Sequence, residues 1–281
     1  MTIKLDGKSV SENIFTKLKS HIALLASKPT LAVIIVGTNA ASQVYVKNKI
    51  KACEKIGIIS NHIHLDASVS QNDLLQMIES LNADHTINGI LIQLPLPSHI
   101  SEKKIIQAIH PKKDVDGFHY SNIGALSIGL PKFISCTPLG ILTLLQHYSI
   151  EISQKHVVIV GRSNIVGKPL AMLLTNHDAT VTLCHSKTPS LENFTTQADI
   201  LISCVGKPNF ITLSMVKEGA VVVDVGINRL DNGTLVGDVS YETVSKLASF
   251  ITPVPGGVGP MTIASLMENT LKAYKIQTPC M

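Results

Sequence analysis

The chain has 281 residues, of which 45% are hydrophobic and 16% charged, so it has room for two domains at roughly 100–200 residues each. That balance supports a sizeable buried core and excludes wholesale disorder. The net charge of +4 comes with scattered lysines and no recognition motif, which argues against a nucleic-acid binder while still suiting an anionic ligand.

In chain order, residues 1–7 carry Lys4 and Asp6 and lack an apolar stretch, so no secretory signal is expected. No apolar run approaches the ~20 residues needed to span a bilayer, and a cytoplasmic protein is expected. A buried strand is expected at Thr30–Val36 and a helix over residues 42–55. In that helix Tyr45 and Lys49 stand four apart and share one face, which Cys53 continues. A tyrosine beside a lysine can orient a flat ring and hold or relay a proton. The next expected elements are a strand at 61–65, a helix at 70–81 and a strand at 89–94. Gln93 ends that last apolar strand just before Pro95 and Pro97, and a buried glutamine needs a partner. After a helix at 102–109, Asp114 and Asp116 stand before Gly117. One of these two carboxylates can meet the amidine-like edge of a heterocycle through a bidentate, charge-assisted pair. Gly117, Gly124, Gly129 and Pro131 then cluster with no long periodic element, which places a domain boundary near Pro138. A helix at 138–147 is the crossing element.

The second half opens on a short apolar strand, His156–Val160, followed at once by Gly161, Arg162, Ser163 and, further on, Gly167 and Pro169. A glycine at the strand end permits a tight turn, and the helix expected at 169–175 offers its first N–H groups to a pyrophosphate. Ser163 stands where the usual fingerprint has its second glycine. The next strand, Thr180–Cys184, ends in His185, Ser186 and Lys187 with no carboxylate to hold a ribose 2′-hydroxyl. Arg162, Ser186 and Lys187 suit a 2′-phosphate instead, so NADP is favoured over NAD. Strands at 200–205 and 220–225 lead into Gly206 and into Asp224-Val-Gly-Ile-Asn228. Residues 252–260 are too rich in glycine and proline for a core element and read as a shaped loop close to a ligand. The helical stretch 262–274 is expected to pack back on the first domain. Apolar strands separated by helices indicate parallel sheets covered on both faces, an α/β fold. The five cysteines, Cys53, Cys136, Cys184, Cys204 and Cys280, are odd in number and form no C-x-x-C pair. They indicate a reducing compartment and neither a disulfide framework nor a zinc site.

Five segments, at 45–49, 93–97, 113–118, 161–169 and 253–262, occur in an order that closely resembles the bifunctional methylenetetrahydrofolate dehydrogenase/methenyltetrahydrofolate cyclohydrolase family. The resemblance covers nearly the whole chain. It implies two α/β domains with the active-site cleft between them, the second a Rossmann-type NADP-binding domain, and a homodimer formed largely through that domain. On this reading residues 1–137 and 261–281 form the folate-binding catalytic domain and residues 138–260 the NADP-binding domain. The implied roles are Lys49 as the catalytic lysine, Gln93 as its hydrogen-bonding partner, Tyr45 as the residue packing on the folate ring, and Asp116 as the pterin carboxylate. Arg162 and Ser186 match the positions holding the 2′-phosphate. Gly161, Ser163 and Ile227 match other cofactor contacts, and Gly256, Gly257 and Pro260 lie in the folate-side loop. No metal is required. The implied activity is oxidation of 5,10-methylenetetrahydrofolate with NADP, then hydrolysis to 10-formyltetrahydrofolate. Two departures from the family pattern, Ser135 before the cysteine of Cys136-Thr-Pro138 and Leu139 after it, touch the interdomain link. The alternatives are an NADP-dependent dehydrogenase for a small acid, which would not need the Tyr45/Lys49/Gln93/Asp116 set, and a silent folate-binding regulator, which would have lost the lysine or the aspartate.

Overall fold

The computed structural model describes residues 2–278, apart from the side chains of residues 40–42; Cys280 and the end of the expected 261–281 segment lie outside the described residues. The chain divides into two compact units, Asn13–Cys136 with Ile263–Met281, and Met1–Glu12 with Thr137–Thr262.

The first of these is built on three parallel strands, in the order Ile59–Leu65, Thr30–Val36, Gly89–Ile92. All seven residues of the central strand are buried, whereas Ile59–Leu65, at an edge, alternates toward solvent. Alternation along Thr30–Val36 splits the core in two. Leu31, Val33 and Ile35 pack with Cys53, Ile56, Met267 and Leu271, while Ala32, Ile34 and Val36 face Leu74, Ile78 and Ile105. The helix Ala40–Ile56 buries Val46, Cys53 and Ile56, a three-to-four spacing that puts one stripe on the sheet. Lys49 sits on that stripe. The helix Gln71–Ala83 opens at Ser70, whose hydroxyl accepts from the Asp73 N–H at 3.1 Å, a cap worth about 1 kcal/mol. Its far end is closed by Lys113, whose Nζ donates to the carbonyls of Leu81 and Asp84 at 2.9 and 2.7 Å. The backbone after Lys113 then joins the sheet, with Asp114 bridging Ile90 in parallel. A further helix, Tyr120–Ser127, lies in the segment read as lacking one. It is eight residues long, holds Gly124 inside it and buries only Asn122 and Leu126, too little to show a period.

The second unit carries six parallel strands in the order Ile3–Lys4, Phe250–Ile251, Val221–Asp224, Ile200–Ser203, His156–Val160, Thr180–Cys184. Its first strand comes from the amino end of the chain, which was expected to lie with residues 1–137. The N–H groups of Ile3 and Leu5 donate to the carbonyls of Ser249 and Ile251, both at 2.8 Å. A two-residue edge strand leaves no hydrophobic pattern to read. The chain then enters the helix Gly7–Ala23, whose later residues Phe15, Leu18 and Ile22 belong to the first unit's core. The last helix, Val258–Gln277, begins four residues before the expected stretch, and its portion from Ala264 onward packs in the first unit. Among the described residues, no helix is long and apolar enough to cross a membrane.

Candidate active site

In the first unit, Lys49 and Gln93 come together from the helix Ala40–Ile56 and the carboxyl end of the strand Gly89–Ile92. Lys49 Nζ donates to Gln93 Oε1 at 3.0 Å. The glutamine is fixed from two sides: its backbone N–H donates to the Ile34 carbonyl at 2.9 Å, and its Nε2 to the Leu94 carbonyl at 2.8 Å. The second bond turns the amide so that its oxygen faces the lysine. Lys49 is partly buried on a stripe otherwise occupied by apolar side chains, which is an unusual place for a lysine without a task. Tyr45 stands one turn earlier on the same helix, with 36% of its surface exposed. Burial raises its phenol pKa above the ordinary value, so the hydroxyl keeps its proton.

The two carboxylates of the glycine turn take different roles. Asp114 is buried and accepts from the N–H groups of Phe118 and His119 at 3.2 and 2.8 Å, and from Asn122 Nδ2 at 2.7 Å. Its oxygens are committed to folding the turn. Asp116, two residues on, lies in the field of Lys49 and beside the Cys136 thiol. Burial raises its pKa, the Lys49 cation pulls it down, and the charge of Asp114 raises it again. Burial also pushes the Cys136 thiol well above its usual value, with Asp116 adding to the rise. The segment is pinned from behind by Asn269, whose Nδ2 donates to the carbonyls of Val115 and Ile134 at 2.8 and 3.0 Å. Ser135 Oγ donates to the Gly117 carbonyl at 3.4 Å. That departure from the family pattern therefore sits against the turn carrying Asp116.

In the second unit the strand His156–Val160 turns through Gly161, at a φ of +127°, into the helix Gly167–Thr175. A Cβ on Gly161 would stand 2.5 Å from the Cys204 carbonyl oxygen, and one on Gly167 1.9 Å from the Gly161 oxygen. The tightness of the turn therefore demands both glycines before any ligand is considered. Ser163 Oγ accepts from the N–H groups of Val166 and Gly167 at 3.1 and 3.4 Å. The serine that replaces the second fingerprint glycine thus takes up two N–H groups at the start of the helix Gly167–Thr175. Val160 pairs with Cys184, so Arg162 and Ser186 leave neighbouring strand ends at matching positions, both exposed. No carboxylate lies between Cys184 and Leu191. This donor set fits a dinucleotide with a phosphorylated ribose.

Ile227, 41% exposed, follows the strand Val221–Asp224. Gly256, Gly257 and Pro260 also belong to the second unit. Gly256 adopts a φ of +107°. Gly257 is packed so closely that a Cβ would meet the Pro253 oxygen at 2.6 Å. Sequence reading missed a pair of buried carboxylates here, Asp224 and Asp238. Burial pushes Asp224 up to about 6. The one signal available was an aspartate closing the otherwise apolar Val221–Asp224.

A family profile described as tetrahydrofolate dehydrogenase/cyclohydrolase, catalytic domain, matches residues 5–116, and one described as tetrahydrofolate dehydrogenase/cyclohydrolase, NAD(P)-binding domain, matches residues 135–278. The chain belongs to the tetrahydrofolate dehydrogenase/cyclohydrolase family. Within this family, the bifunctional protein FolD of Acetivibrio thermocellus is 55% identical over 276 residues, 97% of either chain. A crystal structure of bifunctional FolD, methylenetetrahydrofolate dehydrogenase/cyclohydrolase, from Campylobacter jejuni matches at a TM-score of 0.97 and 52% identity, over 98% of this chain and 99% of that one. The Trypanosoma brucei methylenetetrahydrofolate dehydrogenase-cyclohydrolase, solved with NADP cofactor and an inhibitor, matches at a TM-score of 0.96 and 37% identity, over 99% of each chain.

Proposed function

We propose that this protein oxidises 5,10-methylenetetrahydrofolate to 5,10-methenyltetrahydrofolate with NADP and then hydrolyses the product to 10-formyltetrahydrofolate. The observation that carries this reading is the Lys49–Gln93 hydrogen bond with Asp116 in the same electrostatic field, in a chain that matches enzymes of this pair of activities along nearly its whole length.

When bound, NADP would supply the acceptor for the hydride of the folate methylene carbon. Arg162 and Ser186 would hold its 2′-phosphate, with Gly161, Ser163 and Ile227 as further contacts. On the folate side, Asp116 takes the paired N–H groups of the pterin edge and Tyr45 packs on the flat ring; Gly256, Gly257 and Pro260 are the loop positions that the family resemblance assigns to folate. The folate nitrogen lone pairs stabilise the methenyl cation, so orientation and exclusion of water are the main contributions to the first step. The second step needs a proton moved from the attacking water. Lys49 is the group proposed to assist that transfer, and Gln93 Oε1 holds its Nζ in place. The chain works as a homodimer in the cytoplasm, with no nucleic-acid or membrane partner; the family resemblance supports the dimer, and the four free thiols among the described residues fit a reducing compartment.

A coupled assay tests the reading. Methylenetetrahydrofolate plus NADP should give reduced NADP together with methenyl absorbance that rises and then decays to 10-formyltetrahydrofolate. Methenyl absorbance that decays no faster than in buffer would leave a dehydrogenase alone, and no reduction of NADP would refute the first step.

A further inference from the structure

We propose that Asp238, supported by Asp224, is a positioning residue for the nicotinamide half of NADP. This rests on the reading that NADP lies across the carboxyl ends of the second unit's strands.

Asp238 is fully buried and gathers hydrogen bonds from two segments, residues 203–207 and Asn228. Its Oδ2 accepts from Ser203 Oγ at 3.2 Å and from the N–H groups of Val205 and Gly206 at 2.7 and 3.1 Å. Its Oδ1 accepts from the Lys207 N–H at 2.9 Å and from Asn228 Nδ2 at 3.0 Å. Asp224 holds Asp238 in turn. Asp224 Oδ1 accepts from the N–H groups of Gly226 and Asp238, both at 2.9 Å, and Oδ2 from that of Val239 at 2.8 Å. Both carboxylates press on backbone: a Cβ at Gly226 would fall 2.1 Å from Asp238 Oδ1, and one at Gly237 1.8 Å from Asp224 Oδ2.

The place of this clasp gives it a function. It fixes residues 205–207 and 225–228, the segments that leave the adjacent strands Ile200–Ser203 and Val221–Asp224 at their carboxyl ends. Ligands of a doubly wound sheet lie along those ends. The 2′-phosphate candidates Arg162 and Ser186 sit over His156–Val160 and Thr180–Cys184, on the other side in the strand order. With strands about 4.8 Å apart, a dinucleotide starting there reaches Ile200–Ser203 and Val221–Asp224 with its other half. A carboxylate satisfied by five donors sets that surface before the cofactor arrives, which is how a buried charge shortens the search for an aligned reactant. No other part of the proposed mechanism uses either aspartate.

The test is Asp238→Asn in the full enzyme, where the new amide N–H groups oppose backbone N–H donors. The dehydrogenase kcat should fall by about tenfold to a hundredfold, with a raised KM for NADP and an unchanged NADP-to-NAD preference, since the 2′-phosphate end is untouched. Hydrolysis of added methenyltetrahydrofolate without NADP should stay within about twofold of wild type, because Lys49, Gln93 and Asp116 lie in the other unit. Loss of both activities in proportion, or of neither, overturns the proposal. If the variant does not fold, amide hydrogen exchange of the wild type decides. Protection at Val205, Gly206 and Lys207 without NADP supports a preset surface, and protection that appears only with NADP refutes it. A wild type inactive with NADP would strike the functional reading and leave that exchange result to judge the clasp.

Discussion

Asp114 and Asp116 stand two residues apart before the same glycine and look alike in the sequence, yet they do different work. The choice is made by Asn122, which claims Asp114 from eight residues away. No local pattern announces that bond, so sequence reading could narrow the pterin carboxylate to two candidates and needed the family resemblance to pick one. Lys49 showed in the sequence only as half of a tyrosine–lysine pair four apart on one helix face, and its role came from the family resemblance. The charge balance at Asp116 gives a sharp expectation. Its pKa is raised above the ordinary carboxylate value, and in the proposed role the ionised form is the one that pairs with the pterin N–H groups. Folate affinity should therefore fall as the pH drops through that raised pKa. The Lys49 cation opposes the rise, so Lys49→Met should move this acid limb to higher pH. Calorimetric titration of folate binding across the acid range checks the shift, whatever the absolute affinity. A limb that stays put, or moves to lower pH, would separate Asp116 from Lys49.

At the scale of elements, three strands were legible to the residue, Thr30–Val36, His156–Val160 and Thr180–Cys184. Each is a continuous run of mostly apolar, β-branched residues bounded by glycine, proline or polar side chains, the signature of a strand in a parallel sheet. The strand expected at 89–94 stops at Ile92; the Gln93 N–H still bonds to Ile34, but Pro95 and Pro97 have no N–H with which to continue the ladder. The helix Gly7–Ala23 was not found, because its buried residues divide between two cores and lysines at 8, 17 and 19 dilute the pattern. The parallel register of the second sheet, with Val160 opposite Cys184, is what places Arg162 level with Ser186. An arginine contact to a 2′-phosphate is charge-assisted and worth about 1.5–3 kcal/mol. Arg162→Ala should therefore weaken NADP by a factor of about 10–100 and largely spare NAD, as compared by steady-state kinetics with each cofactor. Equal losses with both would leave Arg162 as a turn residue.

For the whole molecule, the family profiles and the packing divide the chain differently. The profiles follow the sequence, with the nucleotide-binding profile running from 135 to 278. Packing assigns Ile263–Met281 to the unit of Lys49, and Met1–Glu12 to the nucleotide unit. A long helix such as Val258–Gln277 leaves a pattern in the sequence, and a two-residue strand such as Ile3–Lys4 does not. The groups proposed for the hydrolytic proton transfer, Lys49 and Gln93, sit within one unit, while those proposed for NADP sit in the other. The two activities should therefore come apart under single substitutions. The most direct test is Lys49→Met, similar in length and without charge, assayed on methenyltetrahydrofolate and on methylenetetrahydrofolate with NADP. Acid–base assistance is typically worth about 10²–10⁴-fold, so hydrolysis should drop toward the uncatalysed rate. Some NADP reduction should survive, and methenyltetrahydrofolate should accumulate where the wild type carries it through. Hydrolysis of methenyltetrahydrofolate at the wild-type rate by Lys49→Met would contradict the account.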